Sequence, residues 1–172
     1  MSDFDRIDFD ILEALQNDAR LSNKELAARV HLAPSSCLER VRRLRATGAL
    51  GPARTEVSDD ALGIGVQALI AVQLTQHSRE VVDTFLDDVD DVDEVVAVFH
   101  VSGEHDFLLH VVVTDTDHLR DLLLDRFTTR SEVARVQTHI LFSHRRKACR
   151  PNFRANPPRR PAHGGESASG PS

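Results

Sequence analysis

Apolar residues return every three or four positions through "DRIDFDILEALQNDAR" near the start of the chain, where Ile7, Ile11, Leu12 and Leu15 form the stripe of an amphipathic helix. Asp5 precedes that helix as an N-cap, and Asp8 sits in its first turn, where the helix dipole favours an anion. In "RLSNKELAARVHLAPSSCLERVRRLRATGAL" the helical pattern restarts twice. Ser22 and Glu25 have the S-x-x-E spacing of a capping box, and Leu26, Ala27 and Val30 follow as the buried side of a short helix. "HLA" breaks it; Pro34 suits the first position of a longer helix because its missing N–H would have had no intrahelical partner, and Gly48 stops that helix. Cys37, Leu38, Val41 and Leu44 share one arc, while Ser35, Ser36, Glu39, Arg40, Arg42 and Arg43 occupy the opposite one. Helix, short helix, tight turn, longer helix is the helix-turn-helix layout.

After Gly51-Pro52 the period changes. "GPARTEVSDDALGIG" is expected to be a hinge with a short strand in it. "VQALIAVQLT" is β-rich, "SREVVDTFLDDV" is helical, "VDEVVAVFHVSG" and "FLLHVVVTD" are strands joined by the turn "SGEHD", "DTDHLRDLLLDRF" is helical, and "EVARVQTHILFS" is a last strand. The order β-α-β-β-α-β predicts an α+β chain: an N-terminal helix-turn-helix, winged or plain, followed by a ferredoxin-like sheet with two helices on one face. The other face of such a sheet is expected to pack on a second copy of the chain. The resulting organisation is residues 1–50 for the helix-turn-helix, 51–65 for the hinge, 66–144 for the ferredoxin-like domain and 145–172 for a tail rich in Pro, Gly, Ser and Arg, expected to be disordered.

Charge sharpens this division. The formal net charge of -6 conceals nine Lys/Arg against eight Asp/Glu in residues 1–55, five against eighteen in 56–144 and seven against one in 145–172. An acidic body is repelled from a polyanion, whereas a locally basic element need not be. The apolar runs fall far short of the roughly 20 residues of a membrane helix, and the acidic start is unlike a signal peptide, so a cytoplasmic protein with no membrane partner is expected. Cys37 and Cys149 alone allow neither a disulfide framework nor a four-cysteine metal site.

On its own, the segment 33–47 is explained as well by a solvated basic face as by a DNA-reading one. The capped helix and tight turn before it favour DNA, because Arg binds phosphates and pairs with guanine O6/N7 in the major groove. Ser35, Ser36, Glu39, Arg40 and Arg43 are expected to point into the groove, with Arg42 and Arg45 nearer the backbone. By its residues alone, "SGEHDF" is a plain hairpin turn with Gly at positive φ. Nine histidines without H-E-x-x-H spacing suggest no metal centre, the acidic run "DDVDDVDEV" lacks the Gly of an EF-hand loop, and the absence of common nucleophile and nucleotide motifs suggests neither an enzyme nor a cofactor.

The combination of "DFDILEALQNDARLSNKELAARVHLAPSSCLERVRRLRATGAL", "ALG" before the first strand and "VSGEHDFLL", with Gly103, Asp106 and Phe107 matching a G-x-x-D-[YF] turn, resembles the Lrp/AsnC (feast/famine) transcriptional regulators from about residue 4 to residue 143. The family often has Ser where this chain has Ala33 and a basic residue where it has Glu39. Val136 replaces the first of two threonines common on the last strand, and Thr138 keeps the second. The resemblance implies a regulator that binds a roughly palindromic operator on double-stranded DNA as a homodimer, extending in some members to an octamer. It also implies a small-molecule effector, commonly an amino acid, bordered by Ser102, Gly103, Glu104, His105, Asp106 and Thr138, with Asp106 accepting from an α-ammonium and backbone N–H groups near Gly103 holding a carboxylate. Two rivals share the architecture: a DNA-compacting protein without effector, and a sirohaem-decarboxylase-like enzyme, for which the Ser/Arg face at 34–47 has no use.

Overall fold

In a computed structural model, which describes residues 4–145, 147 and 149–154, the chain divides into two units, one of residues 1–54 together with the segment from 146 onward, the other of residues 55–145. The first unit is built on three helices, α1 (Arg6–Asn17), α2 (Asn23–Arg29) and α3 (Pro34–Ala46). Reciprocal capping starts α1: Asp8 N–H donates to Asp5 Oδ1 at 2.9 Å, and Asp5 N–H donates to Asp8 Oδ2 at 3.1 Å. The S-x-x-E spacing delivers the same device on α2, where Ser22 N–H donates to Glu25 Oε2 at 2.8 Å and Glu25 N–H to Ser22 Oγ at 3.3 Å. Two orphan N–H groups are satisfied at each helix start.

The break between α2 and α3 turns on His31, a non-glycine residue with φ of 55°. That left-handed step lets Leu32 N–H close back on the Ala27 carbonyl at 2.9 Å, which ends α2 within a single residue. Ala33 caps α3 with extended backbone but no side-chain hydrogen bond, and Pro34 stands at the first helical position. Ile11, Ala14, Leu26, Ala27, Val30, Cys37, Val41 and Leu44 form the core of the unit. Leu38, placed on the buried arc by periodicity, is 39% exposed, because only Cys37, Val41 and Leu44 of α3 reach that core. No wing strand accompanies the helices among the described residues, so the unit is a plain helix-turn-helix. From the segment predicted to be disordered, Arg150 N–H donates to Gln16 Oε1 at 2.9 Å and the Cys149 thiol to Asn17 Oδ1 at 3.0 Å; the remainder of that prediction, from 155 onward, lies outside the described residues.

The second unit opens without the strand expected in 51–65; a single 3₁₀ turn, Asp60–Leu62, ends on Gly63 with φ of 71°. Then follow β1 (Val66–Leu74), α4 (Arg79–Asp90), β2 (Val95–His100), β3 (Phe107–Val113), α5 (Thr116–Leu123), a wider helical turn at Leu124–Thr128, and β4 (Val133–Ile140). The sheet order is β2-β3-β1-β4, antiparallel throughout, which is the ferredoxin-like arrangement. Gly65 is required where β1 begins, since a Cβ there would lie 2.2 Å from the Thr114 carbonyl oxygen.

Register assigns the two faces. Ala68, Ile70, Val72 and Leu74 of β1 lie with Phe107, Leu109, Val111 and Val113 of β3 in one core with Phe85, Val89, Leu119, Leu122 and Phe127. Phe85 and Phe107 meet with ring centroids 5.0 Å apart. Neither α4 nor α5 covers the other face, where Leu69 pairs with His110, and Ala71 with Leu108, which in turn faces Phe99, 49% exposed.

Candidate functional site

Two groups of predicted residues fall one in each unit. On α3, Cys37, Val41 and Leu44 are buried, and that fixes the outward direction of everything between them. Ser35, Ser36, Glu39, Arg42, Arg43 and Arg45 are exposed. Ser36, Glu39, Arg40 and Arg43 line one shallow depression, while Arg42 and Arg45 lie on the other flank of the helix.

Arg40 does not extend outward as the helical pattern predicts. Its side chain is 27% exposed, and Nη1 donates to Asp5 Oδ2 at 2.7 Å and to Asp8 Oδ1 at 2.9 Å. Arg43 Nη2 donates to Asp8 Oδ2 at 2.5 Å, although half of its side chain remains exposed. Asp8 itself is fully buried, the one charged residue so placed among those described. A carboxylate can be held there because two guanidinium groups and the Asp5 N–H take its lone pairs. The Asp5 carboxyl is held below its ordinary value of 3.8, first by the Asp8 N–H and then by Arg40, and Arg40 is pushed higher in turn by Asp5 and Asp8. Reading Asp8 only as a dipole partner missed this. The signal was present: Asp8, Ile11 and Ala14 repeat at threefold spacing on the side that is buried, and a carboxylate on that side needs a cation.

In the second unit, the turn between β2 and β3 carries Ser102, Gly103 and Glu104 exposed, with His105 and Asp106 half-buried. Gly103 has φ of 129°, which L side chains rarely adopt, so the glycine is needed for the turn itself. Asp106 is occupied by its own fold: Oδ2 accepts from Leu74 N–H at 2.8 Å, and Oδ1 lies 2.8 Å from His77 Nε2. Its backbone is equally committed, with Asp106 N–H donating to the Val72 carbonyl and Val101 N–H to the Asp106 carbonyl, both at 2.9 Å. The resemblance assigned that carboxylate to an α-ammonium; in this chain it ties the turn to the end of β1. His77 was not identified from sequence, since nothing local links it to a turn almost thirty positions later.

Glu104 Oε1 accepts from Arg135 Nη1 at 3.1 Å. His105 Nδ1 is buried and has no hydrogen-bond partner among the described residues. Thr138 is not brought to the turn. It pairs with Ile70 on β1, four residues from Leu74, hence about 13 Å along the strand from the N–H that Asp106 holds. No group of three His, Cys, Asp or Glu side chains suited to a metal occurs among the described residues, and no helix there is long and apolar enough to cross a membrane.

Comparison with known proteins adds to this geometry. The AsnC-type helix-turn-helix domain matches residues 4–45, and the Lrp/AsnC ligand binding domain matches residues 67–149. The HTH-type transcriptional regulator AldR of Mycolicibacterium smegmatis is 39% identical over 146 residues, 85% of either chain. The leucine-responsive regulatory protein of Escherichia coli is 34% identical over 139 residues, 81% of this chain and 85% of that one. Among solved structures, a transcriptional regulator of Neisseria meningitidis in complex with L-Met superposes with a TM-score of 0.80 at 28% identity, covering 89% of this chain and 99% of the other. With both domains matched in the right order, this chain belongs to the Lrp/AsnC family, as a helix-turn-helix transcriptional regulator with a small-molecule-binding domain.

Proposed function

We propose that this regulator reads a roughly palindromic operator through the outer face of α3 and changes its occupancy when an amino acid or related metabolite binds at the β2–β3 turn. The observation that carries the DNA half is the continuous Ser/Glu/Arg surface of α3 opposite three fully anchored apolar residues. Ser35, Ser36, Glu39 and Arg43 face base edges, Arg42 and Arg45 take phosphates, and Arg40 acts from its half-buried position beside them. Two such helices in a dimer reach successive major grooves about 34 Å apart, hence the palindrome. The apolar sheet face with Leu69, Leu108 and Phe99 supports a homodimer, which can build further to an octamer.

For the effector half, the turn supplies exposed residues Ser102, Gly103 and Glu104, whose backbone can hold a carboxylate, and His105 Nδ1, which has no partner among the described residues, with Asp106 fixing the turn. The L-Met complex of the meningococcal regulator and the leucine-responsive name of the Escherichia coli relative support an amino acid as the class. Thr138, too far along the strand to join the turn of its own chain, is suited to meet a turn from another copy. The reading needs neither catalysis nor a cofactor, and it locates the protein in the cytoplasm on the nucleoid.

The test is a thermal-shift screen of the twenty amino acids, followed by a gel shift on the chain's own upstream DNA. At least one amino acid is expected to raise Tm and alter the shift, and Gly103→Ala with His105→Ala to abolish that response. A flat screen, or a response that survives both substitutions, would overturn the effector site.

A further inference from the structure

Asp5, Asp8, Arg40 and Arg43 form one closed group on the flank of α3 that faces the start of α1. Two carboxylates oppose two guanidinium ions, so the group contributes no net charge, and half of the basic residues of α3 are neutralised before any DNA is met. The remaining pair, Arg42 and Arg45, is exposed on the other flank, and neither makes an ion pair among the described residues. The arginines of the reading helix are thus of two kinds. Arg43 uses Nη2 on Asp8 but keeps half its side chain exposed, which leaves its other N–H groups directed outward from a fixed anchor.

We infer that Asp5 and Asp8 are positioning residues for sequence discrimination: they restrain Arg40 and Arg43 from taking phosphates on any sequence and hold the Arg43 fork in one orientation for a base edge. The argument rests on the DNA-reading role of α3. Phosphate contact is sequence-blind and steeply salt-dependent, with a slope of about 0.9 for each phosphate neutralised, whereas a bidentate base contact needs a preset geometry. A guanidinium already held by a carboxylate loses little freedom on docking. A free one spends its charge on the nearest phosphate.

Asp5→Asn isolates the Arg40 part of the effect, since Arg43 pairs with Asp8 and not with Asp5. Asn is as good an N-cap as Asp, and the Asp5 side chain is 53% exposed, so α1 keeps its start while Arg40 loses an anion. Asp10→Asn is the charge control: an exposed carboxylate on the same helix, paired with neither arginine. A random-core duplex pool selected with the wild-type protein supplies an operator, and a scrambled duplex supplies the non-specific probe. Failure of the wild type to enrich any sequence would remove the DNA-reading role itself. Given enrichment, Asp5→Asn is expected to steepen the salt slope on the scrambled duplex by about 0.9 and to reduce operator preference roughly fivefold, with Asp10→Asn changing neither. Equal behaviour of the two variants, or an unchanged slope and preference in Asp5→Asn, overturns the inference. Asp5→Ser, which also preserves the cap, repeats the test should the Asn variant fold poorly.

Discussion

The two units of this chain are stabilised by different means. Among the described residues, the core cluster of the sheet unit holds fourteen buried apolar residues, three of them phenylalanines, and no charge; that of the helix-turn-helix unit holds eight, none aromatic, and closes around Asp8. Register and apolar area hold the first, so the exposed side chains of the β2–β3 turn, Ser102 and Glu104, can vary with little effect on the core. In the second, the arginines that would meet DNA also hold α3 to α1. Stability and recognition are therefore separable in the effector unit and coupled in the DNA-reading unit.

The strongest way to break that comparison is to remove one anchor from each. Phe85→Ala takes a fully buried ring from the sheet core, in tilted contact with Phe107, and is expected to cost about 3–5 kcal/mol in urea unfolding while sparing the DNA-reading unit's own signals. Asp8→Ala is expected to cost about 3 kcal/mol, because it deletes the counter-charge of a half-buried Arg40 and one half of the α1 capping box. A loss under about 1 kcal/mol, the range of an exposed ion pair, would mean that the group is superficial and the units are not so different.

This contrast also explains what could be read from the sequence. Strand and helix order came directly from period, because period reports which side is buried. The S-x-x-E box of α2 was legible because both partners lie within one turn of each other, whereas for Asp8 the local pattern shows only that a cation is needed, and its partners Arg40 and Arg43 lie more than thirty positions away. The same holds for Asp106: its glycine-bearing turn is evident, but its attachment to Leu74 and His77 depends on sheet topology. The short strand expected in 51–65 did not form: that segment joins neither open edge of the sheet, β2 or β4, and the first strand begins at Val66.

A smaller effect sharpens the coupling in the opposite direction. Ala33→Ser supplies the missing side-chain acceptor for an N–H in the first turn of α3, which Ala33 leaves without a cap, and is expected to raise stability by about 1 kcal/mol in the same unfolding assay. If stability and recognition are coupled through α3, operator affinity should rise with it; a stabler protein with unchanged affinity would confine the coupling to the Asp8 group.

The smallest effect comes from acid. Asp5 and Glu25 in the helix-turn-helix unit, and Asp115 at the start of α5, are all held below their ordinary values: Asp5 and Asp115 chiefly by backbone N–H groups at a helix start, and Glu25 by the Ser22 hydroxyl. A carboxyl whose folded value is depressed contributes stability that is present in full above its unfolded value and is lost as pH falls through the folded one. The window therefore opens below 4.5 for Glu25 and below 3.8 for the two aspartates. Two of the three carboxyls stand in the helix-turn-helix unit, so between about pH 5 and about pH 2 its amide resonances should lose protection before those of the sheet unit. Loss of β1 and β3 protection first would place the acid-sensitive carboxylates in the sheet unit instead and contradict the assignment of polar anchoring to the DNA-reading one.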